Sequence, residues 1–369
     1  MKNVHRKLKE FRQQSREARA QGGPATWRQL RDIARLMRGE ARLGPGDYYT
    51  YRLFDPELTP AARAEFVGWR LEARLDRLNE RSWACLGLDK VLTTELLAAQ
   101  GIRCTETRAI YLPGRERMLQ AAQPLKDLAA LNAWLRDPEH YPFFGKPAAS
   151  GFGRGAYFAQ RYDAATDSLC LHSGERLAVR DFAAPLLDHE KLGYLLQAPV
   201  APDARLVPLI GGLVTSLRVM VLLDDTEGPL IHRAFWKLPT GRNMNDNFND
   251  GATGNLAAGL DLSNGRVTRV VTGSGVRRRE LQHHPDTGAD LLGLSVPDWP
   301  AVCAFVERAA LVFPKLRFQQ WDIALADGGP LALELNLFAT GGGELSQIIE
   351  KRGLLDPTMR RFLARQPGV

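Results

Sequence analysis

The sequence predicts an α+β fold, and three features carry that prediction. Residues 1–43 are rich in Arg, Gln, Glu, Ala and Leu, with apolar positions at helical spacing. Residues 143–337 break instead into short apolar runs separated by Gly-rich turns, the texture of paired strands. A length of 369 residues allows roughly two domains of about 150 residues, with a helical appendage. A helical first part followed by mixed sheet is the α+β arrangement.

In chain order, Leu30, Ile33, Ala34 and Met37 recur at helical spacing, so one or two amphipathic helices are expected within residues 1–43, broken at Gly22-Gly23-Pro24. After Gly44-Pro45-Gly46, Tyr48 to Phe54 is an aromatic segment suited to docking. A helix starts with Thr59 as its N-cap and Pro60 at its first position, and runs towards Asn79. Next come a helix over Lys90 to Gln100, a strand around Arg108 to Leu112 and a helix over Pro124 to Leu135. Strand-like runs then extend from Phe143 to Leu337, and a helix from Glu344 to Lys351 precedes a short tail.

Apolar residues make up 44% and charged residues 25%, with 34 Gly and 22 Pro, which excludes collagen-like and disordered classes. Cys85, Cys104, Cys170 and Cys303 form no C-x-x-C pair, so spacing gives neither a zinc site nor a redox dithiol. No run of 18 apolar residues occurs, and no apolar stretch follows the basic N-terminus, so a cytoplasmic protein without a membrane span is expected. The net charge of +7 is uneven: residues 1–45 carry twelve Lys/Arg against four Asp/Glu, or +8, which leaves −1 for the rest. The basic arm has few aromatics among its charges, so nucleic acid is not the expected partner; docking onto the core or pairing of protomers is.

Three segments carry chemistry. In YPFFGKPAASGFGRGAYF a strand delivers Lys146 and then Gly151, Gly153 and Gly155, whose backbone N–H groups can converge on one anion beside the lysine charge. The lysine precedes the glycines, which disfavours a P-loop. In RFQQWDIALADGGPLALELNL two apolar runs flank Ala326 to Pro330, a five-residue hairpin loop. Pairing Leu325 with Leu331 sets Asp322 opposite Glu334, and alternation puts Asn336 on the Glu334 face, with Ile323, Leu325, Leu333 and Leu335 on the other. Two carboxylates and an amide oxygen suit Mg2+. In the third segment, Arg218 interrupts SLRVMVLL, the next strand carries Arg233 and Lys237, and the polar loop NDNFNDGATGN follows. Arginines inside strands call for carboxylate or phosphate partners. Symmetric pairing across Asp224 to Gly228 puts Arg218 and Arg233 on opposite faces, so either a bulge shifts the register or one of them lies outside the site. His284 reads either as a base for an acceptor amine or as a packed loop histidine.

Taken in order, LDKVLTTELLAAQGI, FFGKPAASGFGRG, YLLQAPV, TSLRVMVLL, NDNFNDGATG, HPDTG and WDIALADGGPLALELN resemble the ATP-grasp superfamily, most closely its sugar-transfer-associated group, from about Tyr48 to Asp356. The resemblance implies an ATP-grasp fold of two α/β subdomains clasping ATP behind an N-terminal helical extension. It divides the chain into a basic helical region (1–80), an N-terminal α/β part (81–140), a lid (141–210) and a catalytic part with the C-terminal helix (211–369). It implies that Lys90 and Lys146 contact ATP, that Ser150, Gly151, Gly153 and Gly155 cover the phosphates, and that Gln197 and Ala198 read adenine. Gln197 stands where an acidic residue is common in the family. By the same resemblance Arg218, Arg233 and Asn247 hold the γ-phosphate and an acyl-phosphate, as in glutamate-ligase-like members, and Asp322, Glu334 and Asn336 match the ligands of Mg2+. The implied activity is an ADP-forming carboxylate–amine ligase, in surface-polysaccharide or peptide and natural-product biosynthesis. A kinase-like phosphotransferase, or a polyanion-binding protein acting through the basic arm, are the competing readings.

Overall fold

A computed structural model describes residues 2–114, 122–149, 155–183, 193–241, 243, 245–337 and 342–366. The chain opens with helices α1 (Lys2–Ala20), α2 (Thr26–Arg38), α3 (Pro45–Thr50), α4 (Pro60–Ala64), α5 (Trp69–Leu75), α6 (Cys85–Leu88) and α7 (Lys90–Ala99). Next come β1 (Thr107–Tyr111), β2 (Gln123–Leu125), α8 (Leu128–Arg136), β3 (Phe143–Pro147), β4 (Tyr157–Asp163), β5 (Ser168–Leu171), β6 (Arg176–Ala178), α9 (Val179–Ala183) and β7 (Tyr194–Gln197). After α10 (Val207–Ile210) follow β8 (Ser216–Asp224), β9 (Gly228–Leu238), β10 (Leu256–Asp261), β11 (Arg266–Thr272), β12 (Arg279–Glu280), α11 (Trp299–Leu311), β13 (Phe318–Ala326), β14 (Gly329–Asn336), α12 (Gly342–Glu350) and α13 (Pro357–Ala364).

The strands form two seven-stranded sheets, ordered β2-β1-β7-β3-β4-β5-β6 and β12-β11-β10-β9-β8-β13-β14. β1 pairs directly with β7, so the boundary expected at residue 140 cuts through one sheet: backbone pairing joins 81–140 to the lid strands. One face of the first sheet packs α8 and α9 through Trp134, Leu135, Phe143, Phe182 and Tyr194. In the second sheet Leu217, Val219, Ala234, Trp236 and Trp321 pack against α11 residues such as Val302, Phe305 and Val306. Its other face carries Met220, Leu222, Phe235 and Phe318 under Tyr48, Tyr49, Phe54, Phe66, Ile349 and Phe362. The N-terminal helices and α12–α13 therefore cap that face together. Ala18, Ile33 and Leu43 belong to the same cluster, and Gln29 is buried with its side-chain nitrogen donating to the Pro24 carbonyl at 2.7 Å.

Four expected elements differ from the observed ones. The single helix from Pro60 to Asn79 is broken between α4 and α5, because Phe66 and Val67 turn into the core, where the Val67 N–H donates to Gln347 at 2.7 Å and the Glu65 carbonyl accepts from the Leu355 N–H. At Gly68 a β-carbon would sit 2.9 Å from an Asp47 carboxylate oxygen, so a larger residue there would push that side chain aside. The helix expected from Pro124 begins only at Leu128, capped by Asp127, whose carboxylate accepts from the Ala130 N–H at 2.7 Å. Residues 123–125 form an edge strand instead, a position that tolerates the missing N–H of Pro124. Within the expected run of strands α11 is helical, and the short tail contains α13.

Candidate functional site

The β13–β14 hairpin places the acidic pair. Its turn is tighter than the five-residue loop expected: Ala326 pairs with Gly329 and Leu325 with Pro330, leaving Asp327 and Gly328 as the turn, with Gly328 at φ +74°. That register alone would set Asp322 opposite residue 333. A bulge corrects it: Ile323 pairs with Ala332 but Asp322 with Glu334, so Leu333 is the extra residue. Asp322 and Glu334 thus face each other as the sequence implied, through different backbone geometry, and Leu333 lines the same cleft as Glu334 instead of the apolar face. Asn336 lies two residues on, opposite Gln320, outside the cleft lining; its Nδ2 is buried without a hydrogen-bond partner among the described residues.

Strands β8 and β9 bring basic groups beside this hairpin. Arg218 pairs across β8–β13 with Asp322 and grips both carboxylate oxygens, at 2.5 Å from Nε and 2.9 Å from Nη2. Lys237 approaches Asp322 at 3.4 Å and Asp246 at 3.5 Å. A bulge between β8 and β9 pairs Met220 with Arg233 but Val221 with Ile231, which puts Arg218 and Arg233 on the same face. Arg233 is nevertheless not in the site. Its buried guanidinium donates to Glu350 at 2.5 Å, Asp356 at 3.0 Å and the Gly353 carbonyl at 2.7 Å, under the helical cap.

The first sheet supplies the opposite wall. Phe144 pairs with Gln197 and Lys146 with Leu195, so Phe144, Lys146 and Gln197 share a face, and all three line the cleft. Gln197 is buried, and its amide nitrogen donates to the Thr105 and Thr107 hydroxyls at 3.0 Å each. Ala198 lines the cleft beside it, anchored by its N–H to the Glu106 carbonyl at 3.0 Å. Lys90 opens α7, where Asp89 caps the helix, and its ammonium lies 3.2 Å from Glu334. Together these groups enclose a cavity of about 360 Å³ with Phe158, Val200, Val214, Lys237, Asp246 and Asn247 on its walls.

The polar loop after β9 is held from within. Asn255, fully buried, donates to the Asn245 and Asn247 carbonyls at 2.9 Å each and accepts from the Thr240 N–H at 2.9 Å and the Asn243 amide at 2.7 Å. This fixes Asn247 and Asp246 at the cleft. His284 is a packed loop histidine: it is buried, its Nε2 meets the Pro239 carbonyl at 2.9 Å, and its Nδ1 accepts from the Asp286 N–H at 3.3 Å. Ser150, Gly151 and Gly153 lie outside the described residues. Gly155 has φ +70°, and its carbonyl accepts from the Tyr194 hydroxyl at 2.8 Å.

Opposite charges interlock across this cleft. Burial alone would raise the Asp322 carboxyl, but Arg218 and then Lys237 outweigh it and hold the group at about 2. Burial lowers Lys146 to about 8, helped by the Lys90 charge and opposed by Glu334 and Asp322. Burial raises Asp246 against the pull of Lys237. Lys237, Asp246 and Phe144 line the cleft as well, and none of them is among the residues selected from the sequence. Alternation from Arg218 through the bulged pairing gives Lys237, but only once the register is known.

A sequence profile of the family described as sugar-transfer associated ATP-grasp matches residues 71–360. The chain belongs to that family. No curated protein matches it. Among solved structures, this ATP-grasp chain is similar to an ADP complex of N5-carboxyaminoimidazole ribonucleotide synthetase, with 10% identity, TM-score 0.40, and coverage of 77% of this chain and 54% of the other. It is also similar to D-alanyl-alanine synthetase A of Vibrio cholerae, with 14% identity, TM-score 0.39, and coverage of 76% and 63%. For an L-amino acid ligase of Bacillus licheniformis the values are 12%, 0.36, 72% and 44%. The chain thus spans less than two thirds of each of these structures.

Proposed function

We propose that the cleft binds ATP with Mg2+ and that the protein is an ADP-forming ligase joining a carboxylate to an amine. One observation carries this reading: Lys90, Lys146 and Lys237 share the cleft with Asp322, Glu334 and Asp246, Arg218 stands behind Asp322, and ion pairs join the basic and acidic groups across it. A triphosphate and a divalent cation offer each side a better partner. Phosphate oxygens take the lysines, and the cation takes the carboxylates.

Asp322, Glu334 and Asn336 fit such a cation. Asp322 and Glu334 face each other across the hairpin as hard oxygen donors, and the Asn336 amide oxygen, two residues further along β14, would be the third. When bound, Mg2+ neutralises charge on the β- and γ-phosphate oxygens. The remaining work falls to the chain. Phe144, Phe158, Val200 and Leu333 give apolar walls to a base, and Gln197 with the Ala198 backbone offers it polar contacts. Lys90 and Lys146 hold the phosphates, and Asn247, fixed by Asn255, orients the transferring end. A carboxylate oxygen of the first substrate bonds to the γ-phosphorus as the β–γ bridging oxygen leaves with ADP. The amine nitrogen then attacks the acyl carbon, releasing phosphate and one proton. Positioning and charge neutralisation supply most of the acceleration in such steps.

The test is ADP release over pooled acids and amines, with mass spectrometry of any positive pool. Release that requires both a carboxylate and an amine is expected, and Glu334→Gln should reduce it by at least about a hundredfold with the thermal midpoint unchanged. A stable phosphorylated product would make the protein a phosphotransferase, and ADP release needing neither substrate would end the ligase reading.

A further inference from the structure

The family match begins at residue 71, so nothing in it accounts for α2. One face of α2 packs inward through the buried Gln29 and Ile33. On the outward face Trp27, Leu30 and Met37 are 59%, 50% and 49% exposed, with Ala34 between them at helical spacing. Next to this stripe on the helix surface stand Arg28, Arg31, Arg35 and Arg38, all exposed. The guanidiniums of Arg28 and Arg31 lie over the Trp27 ring at 5.1 and 5.5 Å. Beside Arg31 and Arg35 opens a groove of about 400 Å³ shared with Arg63 and Arg360, four arginines against Asp32 and Glu40. Arg63 lies 3.7 Å from Asp32 and donates from Nη2 to the Asp55 carbonyl at 3.0 Å, Arg360 meets Glu40 at 2.8 Å, and the Arg63 Nε is buried without a partner among the described residues.

We propose that this face of α2 docks on the surface of an anionic lipid bilayer, with Trp27, Leu30 and Met37 entering the headgroup–acyl boundary and the arginines meeting the headgroups. Charge complementarity selects this occupant. A basic amphipathic helix with an exposed tryptophan suits an interface that is apolar on one side and anionic on the other. Pairing with a second copy through the same face would set these arginines against their own equivalents. Nucleic acid would gain the charge but leave Leu30 and Met37 without a partner, and Trp27 is the only aromatic on the face.

The experiment is sedimentation of the full chain with vesicles of phosphatidylcholine alone, or containing about a third phosphatidylglycerol. Binding should need the anionic lipid and fall with salt. A Trp27→Ser/Leu30→Ser/Met37→Ser variant should partition at least about tenfold less, with an unchanged thermal midpoint because these side chains are exposed. Arg28→Gln and Arg35→Gln should each cost about fivefold. Brominated lipid should quench a fluorescence component that Trp27→Phe lacks. Absence of sedimentation, equal partitioning of the triple variant, a dimer that this variant dissolves, or retention on duplex DNA without vesicle binding would each overturn the proposal.

Discussion

Arg218 and Arg233 sit on the same face of the same pair of strands, yet they face different surroundings. Arg218 meets Asp322 at the open end, beside a cleft that also holds Lys237 and Glu334. Arg233 lies two pairing positions further along, under α12 and α13, where Glu350, Asp356 and a backbone carbonyl satisfy it. Strand position alone does not tell a site arginine from a structural one; what covers the sheet at that point does. The helical cap reaches Met220, Phe235 and, at Gly342, the edge of the Arg218 guanidinium, but none of its described residues lines the cleft beside Asp322.

The comparison predicts opposite phenotypes. Arg233→Met should cost about 3–5 kcal/mol of stability, because it leaves Glu350 buried without its cation and Asp356 with Arg352 alone. Its folded fraction should keep normal ATP affinity in calorimetry. Arg218→Ala should leave the melting curve close to normal, since Lys237 still faces Asp322, while turnover falls on the order of a hundredfold, about 3 kcal/mol. Equal melting losses in the two variants would erase the distinction. The smallest effect sharpens it from the cap side. Glu72 is buried beside Gly343 with one carboxylate oxygen lacking a partner among the described residues; burial, then Glu344, Asp76 and Asp47, raise it to about 8. The native state then holds a proton that the unfolded chain has released above about pH 4.5. Stability should therefore fall as pH rises from about 4.5 to 8 and level off beyond. Glu72→Gln should flatten that slope in melting curves taken across the range, and an unchanged slope would assign it to other groups.

Much of this was legible in the sequence because it is local. Asp322 and Glu334 flank a turn signal a few residues away, and Lys146 ends an apolar run, whereas Lys90 was marked only by the family resemblance. Arg233 was misplaced because its partners are more than a hundred residues distant, and no local pattern reports them. The break between α4 and α5 depends on Gln347, which is equally remote. α11 was readable and missed: Val302, Phe305, Val306 and Ala309 keep helical spacing behind a proline, a pattern hidden among the strand-like runs on either side. The Leu333 bulge left no signal, because a tight turn plus one extra residue gives the same Asp322–Glu334 pairing as a longer loop with none.

That bulge separates chain length from register. A relative one residue shorter at this point would keep Ile323 against Ala332 and Asp322 against Glu334, since the pairings on either side of Leu333 are already in step. In an alignment, a gap opposite Leu333 would therefore mark a change in the apolar wall of the cleft, with both acids left in place.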